Sequence, residues 1–168
     1  SLNGGANYHW YLGKNFKTVD DILGGDFIVD WDRFALQDQP DNPLSPNNDL
    51  RTPNRLVKEG EKYGFDYDEN IRKAGTWVQM QGNFRKFNVF AAAENLLTEY
   101  WRTGNMQNGR FPDGSVGDSK KFTFLTYGLK AGPTYKLSGR HYIYANGFHG
   151  TRAPLLRDLF LSPRIRNQ

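Results

Sequence analysis

The sequence contains no cysteine. Without thiols there is no disulfide framework and no thiolate metal site. No apolar run approaches the ~20 residues that a membrane helix needs. No leader pattern is visible at the start, which does not exclude export, because a chain can begin mid-protein. Basic runs are absent as well. The 22 Lys and Arg residues are mixed with 18 Asp and Glu, so a net charge of +4 and a pI near 9.3 do not amount to a nucleic-acid footprint. Aliphatic residues are scarce: only 38% of the chain is hydrophobic and the mean hydropathy is -0.73.

What is abundant is aromatic side chains and glycine, with 12 Phe, 9 Tyr and 18 Gly. Low hydropathy combined with many aromatics suits strands that are apolar on one face only. The chain is long enough for one domain. Two long polar stretches, about 16–65 and 103–119, separate strand-rich segments, and such lengths are unusual between the elements of a compact domain. Inside the first, Thr18–Leu23 followed by Gly24-Gly25 predicts a helical turn stopped by glycine, and Asp30 predicts the N-cap of a second short helix reaching Ala35. Tight turns are expected at Arg85-Lys86 and Ser138-Gly139.

Cross-strand parity gives the sharpest reading. A hairpin closed on Arg85-Lys86 pairs Phe84 with Phe87, Gly82 with Val89, Met80 with Ala91 and Val78 with Ala93. The opposite face then carries Gln79, Gln81, Asn83, Asn88 and Glu94, with Trp77 and Phe90 as exceptions. A two-residue hairpin on Ser138-Gly139 pairs Tyr135 with Tyr142, Pro133 with Tyr144, Ala131 with Asn146 and Leu129 with Phe148. His141, Ile143, Gly147 and His149 fall on the small and polar face. The predicted strands span about 4–14, 67–84, 87–102, 121–137 and 140–151, longer than the ~5–6 residues usual in globular proteins and enough for the ~9–11 of a tilted transmembrane strand. The fold class expected over 1–168 is therefore all-β: an antiparallel meander of long strands and hairpins from an outer-membrane β-barrel. Short helical turns sit in the long loop, and a further loop starts at 152. A soluble, carbohydrate-binding β-sandwich also alternates and is the competing reading.

Thr151-Arg152-Ala153-Pro154-Leu155-Leu156-Arg157-Asp158-Leu159-Phe160 resembles the Arg-Ala-Pro segment of TonB-dependent outer-membrane receptors, where it follows an outgoing barrel strand and opens an extracellular loop. Tyr127–Leu137 resembles the strand before it, and Ser162–Asn167, Asp20–Asp26 and Asn48–Leu50 are similar to loop segments of large receptors of that family. The resemblance implies import of a scarce nutrient, an iron-siderophore, cobalamin or oligosaccharide, across the outer membrane of a Gram-negative bacterium. It implies outer-membrane lipid and the TonB energy-transducing complex as partners, the latter through a plug domain not apparent in this chain. It implies no enzyme and no cofactor. A barrel segment of this kind would not transport by itself, and its open edges and apolar face would make it self-associate.

The candidate ligand-binding residues are Trp31, Trp101, Arg102 and Arg110. The tryptophans offer stacking platforms in the loops, and the arginines an attraction for an anionic ligand. The plainer reading makes the aromatics girdle or loop-core residues. His141 and His149 lie about 27 Å apart along an ideal strand, too far for one metal. Asp20, Asp21, Asp26, Asp30 and Asp32 are dense and could offer oxygen ligands to calcium, but they lack calcium-loop spacing, and helix caps and solvated loop charges are the better reading. No metal site and no catalytic pattern is predicted.

Overall fold

A computed structural model describes residues 1–167. Nine strands occur among them: β1 (Leu2–Thr18), β2 (Ile28–Val29), β3 (Leu56–Val57), β4 (Lys62–Asn83), β5 (Phe87–Gly104), β6 (Gly117–Asp118), β7 (Phe122–Lys136), β8 (Tyr142–Tyr144) and β9 (Gly147–Gly150). One sheet runs in the order β1-β4-β5-β7-β8, with β6 beside β5 and β9 beside β7. The strands β2 and β3 form a separate antiparallel pair. The all-β meander of long strands is thus present; β1, β4 and β5 are longer than the sequence pattern alone delimits, while β7 is slightly shorter. The helical content is slight: α1 (Ala35–Asp38) and a 3-10 turn at Leu156–Leu159.

The β4–β5 hairpin closes on Arg85-Lys86 as expected. The Phe84 amide donates to Phe87 O at 2.6 Å, and Thr76 Oγ1 donates to Asn95 Oδ1 at 3.2 Å in the same register. The β7–β8 turn differs by one residue. Thr134 pairs with Tyr144, Tyr135 with Ile143 and Lys136 with Tyr142; further along, Leu129 pairs with His149 and Ala131 with Gly147. The turn holds three residues because Ser138 organises it: its Oγ accepts from the Arg140 and His141 amides, and the Leu137 amide donates to His141 O at 3.0 Å. Three-residue hairpins are the next commonest after two-residue ones. The extra residue moves Ile143, Gly147 and His149 onto the face of Leu129 and Tyr135, and takes Tyr142, Tyr144 and Phe148 off it. The expected single strand 140–151 is also split. Ala145 donates to Pro133 O at 3.1 Å, but Pro133 has no N–H to return, and the ladder breaks there.

Two helical expectations in the first loop are corrected. The turn before Gly25 is not helical: Leu23 and Gly24 both take positive φ, 54° and 84°, and Gly25 N bonds Ile22 O. Two successive left-handed residues make a reversed turn. Asp30 does not cap a helix. Asp32 does the turning instead, its Oδ1 accepting from Phe34 N at 3.1 Å, and the helix starts later, at Ala35.

The chain divides into two compact units. The first comprises Ser1–Trp10, Arg72–Glu99 and Thr123–Pro154; the second comprises Tyr11–Ile71, Tyr100–Phe122 and the chain from Leu155. Their interiors differ in kind. In the second unit the buried residues combine apolar side chains, Val19, Ala35, Val57, Tyr67, Trp101, Met106, Leu156 and Phe160 among them, with polar ones such as Asp30, Asn48, Arg102 and Ser115. In the first unit the only buried residues are Gly75, Thr98, Thr126, Gly128 and Gly132. Most of its large apolar side chains, among them Val78, Met80, Phe84, Val89, Leu125, Leu129 and Leu137, are exposed. Along β7 the alternation is strict from Leu125 to Gly128, with Leu125 and Tyr127 exposed and Thr126 and Gly128 buried.

Candidate functional site

The second unit carries all four candidate ligand-binding residues. Its loops are fixed by a polar centre at Asp30, which is buried. Asp30 Oδ1 accepts from Asn48 Nδ2 at 2.8 Å and from the Gly64 amide at 2.9 Å, and Oδ2 pairs with Arg55 at 2.9 Å. One carboxylate therefore ties three separate stretches of chain together. Nothing in the sequence marks it beyond a dense run of aspartates, because its partners lie 18 to 34 residues away.

Arg102, near the end of β5, is 1% exposed. Its Nη1 donates to Ser115 O at 2.8 Å and to Asn167 Oδ1, its Nε donates to Pro163 O, and its guanidinium carbon sits 5.0 Å from the centre of the Tyr67 ring. Burial pulls its pKa down to about 10. The same environment holds the Tyr67 hydroxyl above its ordinary range, through burial first and the charge of Glu69 second. Burial likewise raises the Glu69 carboxyl. Trp101, the next residue back along β5, is buried too, with Lys121 Nζ 4.9 Å from its ring centre. Neither Trp101 nor Arg102 presents an open face to solvent.

Arg110 and Trp31 are better placed to meet a ligand. Arg110 pairs with Asp38 at 2.5 Å and more loosely with Asp32 at 3.8 Å, so the loop after Trp31 and the loop after β5 meet at this guanidinium. Trp31, bridged to Asn47, is half-exposed. Arg110 also lines a hollow of about 380 Å³ with Phe111, Pro112, Asp113, Gly114 and Arg166. The Arg166 guanidinium lies 5.1 Å from the Phe111 ring. An aromatic wall, two guanidinium groups and a carboxylate can together bind a polar ligand with both stacking and charged hydrogen bonds. The sequence singled out Arg110 but not Phe111, Asp113 or Arg166, which come from two distant stretches.

Asp49 is a further fixed charge. Burial pushes its carboxyl up, but hydrogen bonds from the Arg51 side chain and from the Arg51 and Gln107 amides outweigh this and hold it below the ordinary range. Among the described residues no three His, Asp or Glu side chains converge on a metal position. Asp20, Asp21 and Asp26 do not join Asp30. Arg152, Ala153 and Pro154 lie between β9, one residue after its end, and the 3-10 turn, with Arg152 exposed.

No protein-family model, no curated protein and no solved structure matches this chain.

Proposed function

We propose that this chain is a segment of an outer-membrane β-barrel, of the TonB-dependent receptor kind, that serves nutrient import. The observation that carries this reading is the interior of the first unit, which buries only glycine and threonine while most of its large apolar side chains are exposed. A unit surrounded by water hides apolar side chains and shows polar ones. The reverse arrangement suits a surface solvated by lipid. The exposed apolar face bears no charge along 74–84, 87–97 and 125–137; Glu94, Lys130 and Lys136 lie on the other face. Its polar pair, Thr76 and Asn95, is hydrogen-bonded to itself, as hydrocarbon requires. The strand portions 72–83, 87–99 and 123–136 each exceed the ~9–11 residues of a tilted transmembrane strand. Phe84, Phe87, Tyr135 and Leu137 gather near the tight turns, with the Phe87 and Tyr135 rings 4.9 Å apart, which suits an interfacial girdle.

In this reading the second unit is the extracellular loop layer, and the ligand meets it at Trp31, Arg110 and the hollow beside Phe111. Energy would come from the TonB complex through a plug. The test is dispersion. Static light scattering of the purified chain should show large assemblies in plain buffer, and a small defined species in detergent. A monodisperse monomer in plain buffer overturns the reading.

A further inference from the structure

The segment 155–167 lies across the second unit as a strap. Leu156 and Phe160 are buried, and the Phe160 ring meets Phe122 edge-on at 5.7 Å. Asn167 closes the far end: its amide donates to Gly114 O at 2.6 Å and its side-chain NH2 to Val116 O and Gly117 O, each at 3.3 Å. Beneath the strap lies Arg102. Two of its three side-chain acceptors, Pro163 O and Asn167 Oδ1, belong to the strap itself. The third is Ser115 O, and the Tyr67 ring backs the guanidinium.

What Arg102 lacks is a counter-charge. Among the described residues no carboxylate pairs with it. Neutral carbonyl oxygens compensate a desolvated cation only in part. A carboxylate or phosphate supplies both the oxygens that the strap now provides and the missing negative charge, and a guanidinium fork binds such groups strongly. Strap and anion therefore compete for the same donors. We infer that 155–167 is a releasable cover and that Arg102, backed by Tyr67, is an anion-binding site beneath it. The site takes the carboxylate or phosphate group of a ligand when the cover lifts. This concerns the second unit alone and does not depend on whether the first lies in lipid.

Competition of this kind is reciprocal: an anion that binds only with the strap lifted must loosen the strap, and loosening the strap must favour the anion. The full chain in detergent micelles would be followed by hydrogen exchange and by calorimetric titration. The probes are inorganic phosphate and acetate, with chloride at matched ionic strength as the reference. Phosphate should speed exchange across 155–167 while leaving the β4–β5 hairpin unchanged. Acetate acting in the same way would extend the site to carboxylates, and a response to phosphate alone would restrict it to phosphate esters. Asn167→Ala removes one bond to a charged donor and should raise phosphate affinity about tenfold. Lys58→Gln, at an exposed cation outside both 155–167 and the hollow, should leave the phosphate response intact. The inference fails if phosphate and chloride act alike on 155–167. It fails equally if Asn167→Ala leaves affinity unchanged, or if Lys58→Gln abolishes the response.

Discussion

Leu129 and Leu44 provide a matched pair. Both are leucines and both are 50% exposed, Leu129 on β7 in the first unit and Leu44 in the long loop of the second. In water, replacing either by arginine at half exposure costs little, within about 0.5 kcal/mol, because neither fills a core. In lipid the two positions separate. Leu129 lies mid-strand on the uncharged apolar face, paired with His149 and at least six residues from either end of β7. An arginine there at bilayer depth costs about 2–4 kcal/mol, whereas Leu44 faces water in either case. The chain would be refolded into phosphatidylcholine vesicles from denaturant, and tryptophan fluorescence followed for the parent, Leu129→Arg and Leu44→Arg. The expected result is a midpoint shift for Leu129→Arg alone, equivalent to a factor of roughly 30 to 1,000 in the folding constant. Equal, small shifts at both positions would refute the assignment of the first unit's face to lipid.

Other outcomes follow from the second unit. Phe160→Ala empties a buried aromatic site against Phe122 and should destabilise the loop unit by about 3–5 kcal/mol, seen as faster proteolysis of 155–167. Asp30→Ala leaves Arg55 and Asn48 without their shared carboxylate and should cost about 3–5 kcal/mol in thermal unfolding, more than a change at exposed Asp20. Gly104→Ala would place a methyl 1.8 Å from Ser115 O, a backbone atom, so the Arg102 anchor must shift; a loss of about 1–3 kcal/mol is expected by denaturant titration. Glu69 sets a pH dependence. Its folded pKa is raised, so its contribution is fully present below its ordinary value of 4.5 and is lost as pH rises through the higher folded value. Glu69→Gln should flatten that part of the stability profile. The Asp49 contribution has the opposite sign and fades as pH falls below 3.8, so the two separate along the pH axis.

The strands were legible because a period of two survives wherever one face differs from the other, and the Arg85-Lys86 turn was legible because two residues suffice there. The register after β7 was not, since Ser138 Oγ enlarges the turn through side-chain hydrogen bonds that leave no mark on polarity. The short helix was misplaced for a similar reason. Both Asp30 and Asp32 are good capping residues, and only tertiary partners decide that one turns the chain while the other holds loops together. Of the candidate ligand residues, the sequence could rank chemistry but not burial. Adjacent residues of β5, Trp101 and Arg102, are both enclosed although they point to opposite faces of the strand. The hollow at Arg110 escaped notice because its aromatic and second arginine are separated by more than fifty positions.

The three-residue turn at Ser138–Arg140 also bears on how this chain tolerates changes in length. Deleting Gly139 alone would leave a two-residue loop, Ser138-Arg140, with Leu137 still opposite His141 and Tyr135 still opposite Ile143, so the facing of β8 and β9 would be kept. Length changes confined to the loop are absorbed by it. One residue inserted or deleted after His141, within the paired stretch, would instead turn the side chains that follow it onto the opposite face, and a second odd change before Gly150 would turn the remainder back.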